Sequence, residues 1–321
     1  MHLGHWVGSL RNRVRLQHTH ECFIIVADLH TLTTRPEKAA IAEVPENIRQ
    51  MVLDYLAVGL EPDRCTIFLQ SAIPEIPYLQ LLLSMLISLP RLERVPSIKE
   101  MAEAAGLDAL PFGLVGYPVL QAADILLPRA EVVPVGRDNL PHVEVTREVA
   151  RRFNHLYGEV FPVPEPLLSE VPVLPGIYGK QKMSKSLDNA ILLSDPPDEV
   201  ERRVMRMYTD PRRVRPDIPG RVEGNPVFIY LDLFDPDRDE VDDLKARYRK
   251  GKVGDVEVKR TLARALNAFL EPIRERRAEY EARAGLVDEI LADGSRRMRE
   301  VAVDTMERVK DAMGLTYGPM T

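Results

Sequence analysis

Two histidines flank a glycine at the start of the chain, where residues 2–5 read HLGH. Apolar residues spaced four apart follow, which predicts a helix that begins at this motif. A helix N-terminus presents unpaired backbone N–H groups and the positive end of the helix dipole, so it attracts phosphate. Gly4 permits close approach of a ligand, and His2 and His5 can donate hydrogen bonds to phosphoryl oxygens. The motif therefore indicates phosphate chemistry, with an ordinary surface helix as the alternative.

A second segment, Gly179–Asn189, reads GKQKMSKSLDN and carries Lys180, Lys182 and Lys185 among two serines. Ammonium groups are compact charges with three donors each, so lysines in a flexible segment can clamp a polyphosphate. Such a clamp can tighten as pyrophosphate leaves and so stabilise the transition state. A solvated surface loop is the alternative.

The elements that position these motifs alternate along the first half of the chain. Short β-rich apolar runs predict buried strands at Cys22–Asp28, Cys65–Gln70 and Glu131–Val135, with helical spacing between them. This order is typical of an α/β fold with a doubly wound, Rossmann-like parallel sheet. Ligands bind such sheets at the carboxyl ends of the strands. We therefore expect a site near Asp28–His30 and Gly136–Asp138.

The remaining segments differ in composition and in the spacing of their apolar residues. Beyond about residue 190 the sequence predicts helices and no parallel strand, and Pro162–Pro175 is predicted to be an irregular connector. Leu79–Leu89 is apolar on every face, which predicts burial on every face. It is either a central core helix or, in part, a contact with a second copy of the chain.

Composition excludes several classes of protein. With 321 residues and a net charge of −6, the chain is not coated in basic surface for DNA or anionic membranes. Two cysteines, Cys22 and Cys65, cannot build a disulfide scaffold or a cysteine metal site. We see no signal peptide, and the longest apolar run is shorter than the roughly 20 residues of a membrane span. We expect a cytoplasmic protein without a membrane segment.

The two motifs together resemble a known family. HLGH resembles the HIGH signature, and Lys182–Ser186 reads KMSKS, the other signature of class I aminoacyl-tRNA synthetases. Between them, Gly116–Leu127 and Val133–Gly158 are similar to the tryptophanyl branch, as are Asp28–Thr33 and the late segment MERVKDAMGL. The resemblance extends over nearly the whole chain, and the tyrosyl branch is the nearest rival.

This resemblance implies activation of L-tryptophan by ATP to tryptophanyl-AMP, followed by transfer to tRNA(Trp). It implies Mg²⁺ held largely by the ATP phosphates and water, and a homodimer. It also implies a catalytic domain at residues 1–187 and a helical anticodon-recognition domain at residues 188–321, whose last helix could pack back on the catalytic domain.

The resemblance implies roles for individual residues. The implied ATP ligands are His2, Gly4 and His5 at the phosphates and adenine, Gly136, Arg137 and Asp138 at the ribose and base, Val173 at the adenine through its backbone, and Lys182, Met183, Ser184, Lys185 and Ser186 at the outer phosphates. The implied catalytic residues among them are His2, His5, Lys182 and Lys185. The implied tryptophan ligands are Tyr117 and Asn139 at the head group, His30 and Gln121 in the same pocket, and Asp124 at the indole N–H.

Asp124 also has a physical rationale of its own. Indole carries one polar atom, a donor without acceptor capacity, so its pocket needs one buried acceptor in an apolar wall. Asp124 is a lone carboxylate in the apolar stretch YPVLQAADILL. A helix-capping aspartate is the alternative interpretation.

Three features depart from the family pattern. The family has a β-strand and a Pro-[Ser/Thr]-Gly turn before its HIGH motif, whereas this sequence opens on the motif. We therefore expect that Met1 is not the native start, with a natural short form of impaired activity as the alternative. Asn139 stands where a glutamine is usual, and Gln121 where an apolar pocket residue is usual.

Two other functions stay open at this point. One is a ligase or nucleotidyltransferase of the pantothenate-synthetase type, and the other is an auxiliary paralogue that binds tryptophan, ATP or a protein partner. For tRNA, a basic strip without balancing carboxylates is predicted from Arg202, Arg203, Arg206, Arg212, Arg213 and Arg215.

Overall fold

The computed structural model describes residues 1–33, 35–169, 173–179, 181–184 and 187–317. Its strands form two parallel pairs, which confirms the predicted α/β class. β1 (Cys22–Val26) pairs with β2 (Cys65–Leu69), and β3 (Val132–Val135) pairs with β4 (Glu165–Leu168). After residue 187 the described chain contains helices and no strand, as predicted.

β4 corrects the prediction of an irregular connector across Pro162–Pro175. The prolines there suggested a broken backbone, yet Pro166 sits in β4 opposite Val133. A proline is tolerated where its missing N–H is not needed by the ladder, as on an edge strand. Proline content therefore hid a short strand.

Helices make up most of the remaining structure. In chain order they are α1 (Leu3–His5), a π-helical turn (Trp6–Leu10), α2 (Arg11–Leu16), α3 (Asp28–Thr31), α4 (Lys38–Ala57), α5 (Glu75–Ser84), α6 (Leu89–Glu93), α7 (Pro96–Ala104), α8 (Phe112–Leu126), α9 (Leu140–Tyr157), α10 (Pro197–Met205), α11 (Pro226–Phe234), α12 (Arg238–Arg249), α13 (Asp255–Glu281) and α14 (Leu286–Met313). Short 3₁₀ turns lie at Gln70–Ala72 and Arg137–Asn139.

Contacts divide the chain into two compact units. The first unit comprises Met1–Arg11, Leu56–Val58 and Val171–Ala282, and the second comprises Asn12–Tyr55, Gly59–Glu170 and Arg283–Thr321. These units are defined by packing, whereas the predicted boundary after residue 187 separates functions. That boundary stays a prediction.

The core of the second unit is built by α5, α8, α9 and α14 around the strands. α14 lies directly on β2, because a Cβ atom at Gly294 would stand only 1.9 Å from the Ile67 carbonyl oxygen. The next residue, Ser295, accepts a hydrogen bond from the Leu69 amide through its hydroxyl. Glycine thus lets a helix approach the strand backbone more closely than any side chain allows.

The apolar segment Leu79–Leu89 does not form one helix buried on all sides. α5 ends at Ser84, whose hydroxyl bonds back to the Gln80 carbonyl, and the chain turns before α6. Leu79 and Leu83 are fully buried. The outward side chains are those of Leu81, Met85 and Leu89, which are 54%, 72% and 54% exposed. The prediction of complete burial within one chain is therefore wrong.

The first unit packs around the long helix α13, which contacts α10 and α11. Three rings meet on its surface: Phe269 of α13 lies 5.6 Å from Trp6 and 5.0 Å from Phe234 between centroids. These contacts hold the segment that follows the HLGH motif against the helices of its unit.

The predicted basic strip of the first unit is balanced by acids, contrary to expectation. Its ion pairs are Arg202 with Glu199, Arg203 with Asp188 and Glu199, Arg212 with Asp210, and Arg215 with Asp217. Arg213 is buried, lies 4.0 Å above the Tyr248 ring and donates to the Val253 carbonyl. It is a packing residue, because its partners come from distant parts of the sequence.

None of the helices in the described part of the chain combines the length and the apolarity that a bilayer span requires.

Candidate functional site

A buried carboxylate occupies the centre of the second unit. Asp124 lies inside α8 and is 9% exposed, so it does not cap a helix. The Gln70 side-chain amide donates to Oδ1 at 2.8 Å and to Oδ2 at 3.0 Å. Nε2 of His30 lies 2.9 Å from Oδ2. Burial raises the pKa of Asp124, while the hydrogen bonds from His30 and Gln70 oppose that rise.

Gln70 determines how this carboxylate is presented. It follows β2 and is fully buried, and its Oε1 accepts the backbone N–H of Leu29 at 3.1 Å. Because that position must be an acceptor, the NH₂ group faces Asp124. The Gln70 amide nitrogen and Nε2 of His30 are two donor groups, and a carboxylate has about four lone-pair sites. Asp124 therefore has acceptor capacity beyond these two partners.

Sequence analysis did not identify Gln70 as a site residue. A signal was present, because Gln70 closes the predicted strand Cys65–Gln70 at its carboxyl end, where ligands bind α/β sheets. What the sequence could not provide was its contact with Asp124, which lies on another element.

A second polar group lies along the same face of α8. Tyr117, Gln121 and Asp124 are spaced by four and three residues, so they share one helix face. The Tyr117 ring meets the His30 ring edge-on at 5.9 Å between centroids. Four predicted site residues, His30 among them, are therefore brought together in this unit.

His142 of α9, which sequence analysis also missed, joins this group. Its Nε2 lies 2.8 Å from the Tyr117 hydroxyl and 2.6 Å from the Ser97 hydroxyl, and its Nδ1 lies 2.8 Å from Oε1 of Gln121. Burial lowers the pKa of His142 to about 4, so the ring is neutral near pH 7. Burial also raises the pKa of the Tyr117 hydroxyl.

The turn after β3 carries the remaining predicted residues of the second unit. Gly136, Arg137 and Asp138 lie at the carboxyl end of the strand, and Asn139 precedes the first residue of α9. The side chains of Arg137, Asp138 and Asn139 are exposed. The turn thus offers polar groups at the edge of a parallel strand pair, as the sequence predicts for a ligand-binding edge.

The HLGH motif lies in the first unit, where it forms the short helix α1. The His2 ring is buried and stacks on the His5 ring at 3.7 Å between centroids, whereas His5 is exposed. Burial lowers the pKa of His2 to about 3, so His2 acts as a neutral imidazole. A Cβ atom at Gly4 would lie 3.0 Å from that ring, so glycine fits the motif's own packing as well.

The KMSKS segment lies against this motif within the first unit. The Gly4 amide donates to the Met183 sulfur at 3.3 Å, and Met183 is buried. The Asn189 side chain accepts from the Ser184 amide and donates to the Lys182 carbonyl. These backbone contacts leave the Lys182 and Val173 side chains exposed. The predicted residues Lys185 and Ser186, and also Lys180, lie outside the described residues.

The two units therefore hold different functional groups. The second unit has a buried carboxylate that accepts hydrogen bonds from side chains of other elements. The first unit has a histidine pair and an exposed lysine on neighbouring segments, suited to phosphate. Among the described residues, no group of three or more His, Cys, Asp and Glu side chains is placed to hold a metal ion.

Comparison with known proteins places these features in a family. The profile described as "tRNA synthetases class I (W and Y)" matches residues 1–271. The tryptophan–tRNA ligase of Treponema pallidum is 60% identical over 320 residues, which cover 100% of this chain and 95% of that protein. The corresponding ligase of Borreliella burgdorferi is 56% identical and covers 98% and 91%.

A solved structure is also similar. The tryptophanyl-tRNA synthetase of Campylobacter jejuni, in a crystal structure with ADP and tryptophan, has a TM-score of 0.84 and 31% identity. The match covers 98% of this chain and 96% of that one.

Proposed function

Because this chain belongs to the class I tRNA synthetases of the tryptophan and tyrosine group, we infer that it activates L-tryptophan with ATP and transfers it to tRNA(Trp). The observation that supports the choice of tryptophan is the buried Asp124 carboxylate, which is held by two donor groups and has acceptor capacity beyond them. Indole has one N–H donor and no acceptor, so it matches that site.

The reaction has two steps. The tryptophan carboxylate attacks the α-phosphate of ATP in line and expels pyrophosphate, which leaves tryptophanyl-AMP. The terminal ribose hydroxyl of the tRNA then attacks the activated carbonyl and releases AMP. Phosphoryl transfer of this kind requires positioning and charge stabilisation more than a protein nucleophile.

Amino-acid ligands are proposed for the second unit, and the contacts of Asp124 with His30 and Gln70 support the first of them. Asp124 accepts the indole N–H, and His30 and Gln70 hold its two oxygens in place. Tyr117 and Asn139 contact the ammonium and carboxylate head group, and Gln121 faces the ring from the turn of α8 between Tyr117 and Asp124. A phenylalanine ring brings no donor to this carboxylate, and loss of such a hydrogen bond can cost about 10⁴-fold in specificity.

The nucleotide ligands are proposed in both units. In the first, neutral His2 and exposed His5 donate to phosphoryl oxygens, Gly4 permits their approach, and Val173 contacts the adenine through its backbone. Lys182, Met183, Ser184, Lys185 and Ser186 hold the outer phosphates, and the lysines stabilise the charge on departing pyrophosphate. In the second unit, Gly136, Arg137 and Asp138 contact the ribose and base.

We propose that Mg²⁺ enters with ATP. The described residues provide no cluster of metal-binding side chains, so the phosphates and water would supply its ligands. The ion would offset phosphate charge, while the lysines and histidines of this chain orient the phosphates.

We further propose a homodimer that uses the exposed side chains of Leu81, Met85 and Leu89. They are apolar and lie on and after α5 in the second unit, and their burial would remove contiguous apolar surface from water. Met85→Glu should convert the dimer to monomer in sedimentation, and an unchanged dimer would refute this interface.

Two further proposals concern setting and tRNA. The free thiols of Cys22 and Cys65 fit a reducing cytoplasm. The helical region of residues 188–321 is proposed to recognise the anticodon of tRNA(Trp).

Pyrophosphate exchange tests the proposed activity. With L-tryptophan the protein should exchange label between pyrophosphate and ATP, and it should charge a tRNA(Trp) transcript. L-tyrosine and L-phenylalanine at equal concentration should support no comparable exchange. Exchange driven by tyrosine, or the absence of exchange with tryptophan, would refute the assignment.

A further inference from the structure

Three polar side chains form a closed triangle next to the tryptophan pocket. The triangle joins Ser97 of α7, Tyr117 of α8 and His142 of α9. The two hydroxyls lie 2.7 Å apart, and Nε2 of His142 lies 2.6 Å from the Ser97 hydroxyl and 2.8 Å from the Tyr117 hydroxyl. Tyr117 is proposed above to contact the substrate, whereas Ser97 and His142 are not. The direction of the protons in this triangle determines what Tyr117 can do.

Gln121 fixes the tautomer of His142. With the Gln121 amide in the orientation that the structure shows, Oε1 lies 2.8 Å from Nδ1 of the ring and can only accept, so we assign the proton to Nδ1. The ring is neutral near pH 7, since burial lowers the pKa of His142 to about 4. Nε2 is therefore an acceptor with one lone pair.

The two hydroxyls supply two protons for three short contacts. Tyr117 can donate to His142 while Ser97 donates to Tyr117, or Ser97 can donate to His142 while Tyr117 donates to Ser97. Any arrangement with the Tyr117 proton outside the triangle leaves two of the three contacts without a proton. The Tyr117 proton therefore points inward, and a lone pair of its oxygen points outward.

We propose that His142 is a positioning residue, which makes the Tyr117 hydroxyl an acceptor for the α-ammonium group of tryptophan. An ammonium group has three donors and no acceptor, so an outward hydroxyl proton would oppose it. This inference rests on the proposed contact between Tyr117 and the amino-acid head group. It adds the residue that gives that contact its polarity.

Two substitutions of His142 separate its two ring nitrogens. In His142→Gln the side-chain carbonyl can replace Nε2 as acceptor for the hydroxyls. In His142→Asn the shorter amide can replace Nδ1 as donor to Gln121, but it offers Tyr117 no acceptor. The two variants are similar in polarity, so a purely structural role for His142 predicts similar losses.

The measurement is the ratio of two dissociation constants from equilibrium titration. One ligand is L-tryptophan, and the other is indole-3-propionate, which lacks the amino group. We expect His142→Asn to reduce the preference for tryptophan about tenfold, the effect of one hydrogen bond to a charged group. We expect His142→Gln to remain within about threefold of the parent. Equal losses in both variants would overturn the proposal.

Tyr117→Phe distinguishes failure of this inference from failure of the site assignment. It should reduce the preference as His142→Asn does, and adding His142→Asn to it should cause no further loss. An unchanged preference in Tyr117→Phe would refute the head-group contact and, with it, the proposal. A loss in Tyr117→Phe without one in His142→Asn would refute the role of His142 alone. If His142→Asn does not fold, a fall of His142→Gln to the Tyr117→Phe value overturns the proposal.

Discussion

The polar side chains of Asp124, Gln70 and His142 in the second unit are buried and hydrogen-bonded, whereas those of Lys182 and His5 in the first unit are exposed. Asp124, Gln70 and His142 each form two or more hydrogen bonds to polar groups of other elements. His5 stacks on the His2 ring, and the Lys182 carbonyl accepts a hydrogen bond from the Asn189 side chain.

The difference follows from what each unit has to do. Rejecting an amino acid of the wrong shape requires a site whose unpaired groups are costly, and burial provides that cost. Stabilising a departing pyrophosphate requires charges that strengthen their contact in the transition state. The proposed function thus predicts that selectivity resides in the preformed network of the second unit and rate enhancement in the exposed cations of the first unit.

Removal of the exposed Lys182 side chain should have the greatest effect on activity. Lys182→Ala should reduce the pyrophosphate-exchange rate about 10²–10³-fold, as expected for removal of a group that stabilises transition-state charge. Tryptophan affinity in direct titration should stay unchanged. Gln181→Ala, an exposed neighbour, is the control. A normal exchange rate, or a parallel loss of tryptophan affinity, would contradict the proposed role of Lys182 in pyrophosphate release.

The second effect tests the buried side. Asp124→Asn should weaken tryptophan binding about 100-fold, since the amide places donors against those of Gln70 and His30 and loses the charged acceptor. ATP affinity should remain that of the parent. The exposed Asp63→Asn serves as control for charge alone. Tryptophan affinity that survives in Asp124→Asn would show that the carboxylate is structural.

The third prediction concerns the packing that supports the buried network. Gly294→Ala should destabilise the protein by about 1–3 kcal/mol in denaturant unfolding, because its methyl group would overlap the Ile67 carbonyl. Gly113→Ala in α8 meets open space and should have no destabilising effect. An equal response in both variants would argue against close packing of α14 on β2.

The smallest effect is a pH dependence. Since burial raises the pKa of Asp124 above its usual 3.8, tryptophan affinity should decline from a pH above that value as the medium is acidified. The stability term has the opposite sign. The folded chain binds the proton more tightly than the unfolded chain, so the contribution of Asp124 to unfolding free energy falls as pH rises. Asp124→Asn should remove both slopes, and slopes that persist would assign them to other groups.

Local features of the sequence predicted the fold well. Apolar runs identified β1, β2 and β3, because each strand is short and β-rich, although Val132 of β3 is exposed where burial was predicted. Pro166 hid β4, because its strand position depends on the partner strand. Leu81 and Met85 are exposed in the single chain, because helical spacing does not reveal where a helix turns away from the core, and their predicted contact with a second copy stays a prediction.

The site was predictable as residue types and not as a network. Asp124 stood out as a carboxylate among apolar neighbours, but its contacts with Gln70 and His30 join residues that are far apart in the sequence. The prediction that Arg213 belongs to a basic strip was wrong for the same reason. Arg213 is next to other cations in sequence, yet its partners Tyr248 and Val253 lie on distant segments.

The seating of α14 on β2 has a consequence for the way the protein is made. Gln70 follows the strand that this helix covers, and the contact between Leu69 and Ser295 joins residues 226 positions apart in the chain. We expect growing polypeptides to lack the proposed tryptophan site until α14 has been synthesised. Unfinished copies would then neither sequester the amino acid nor spend ATP on it.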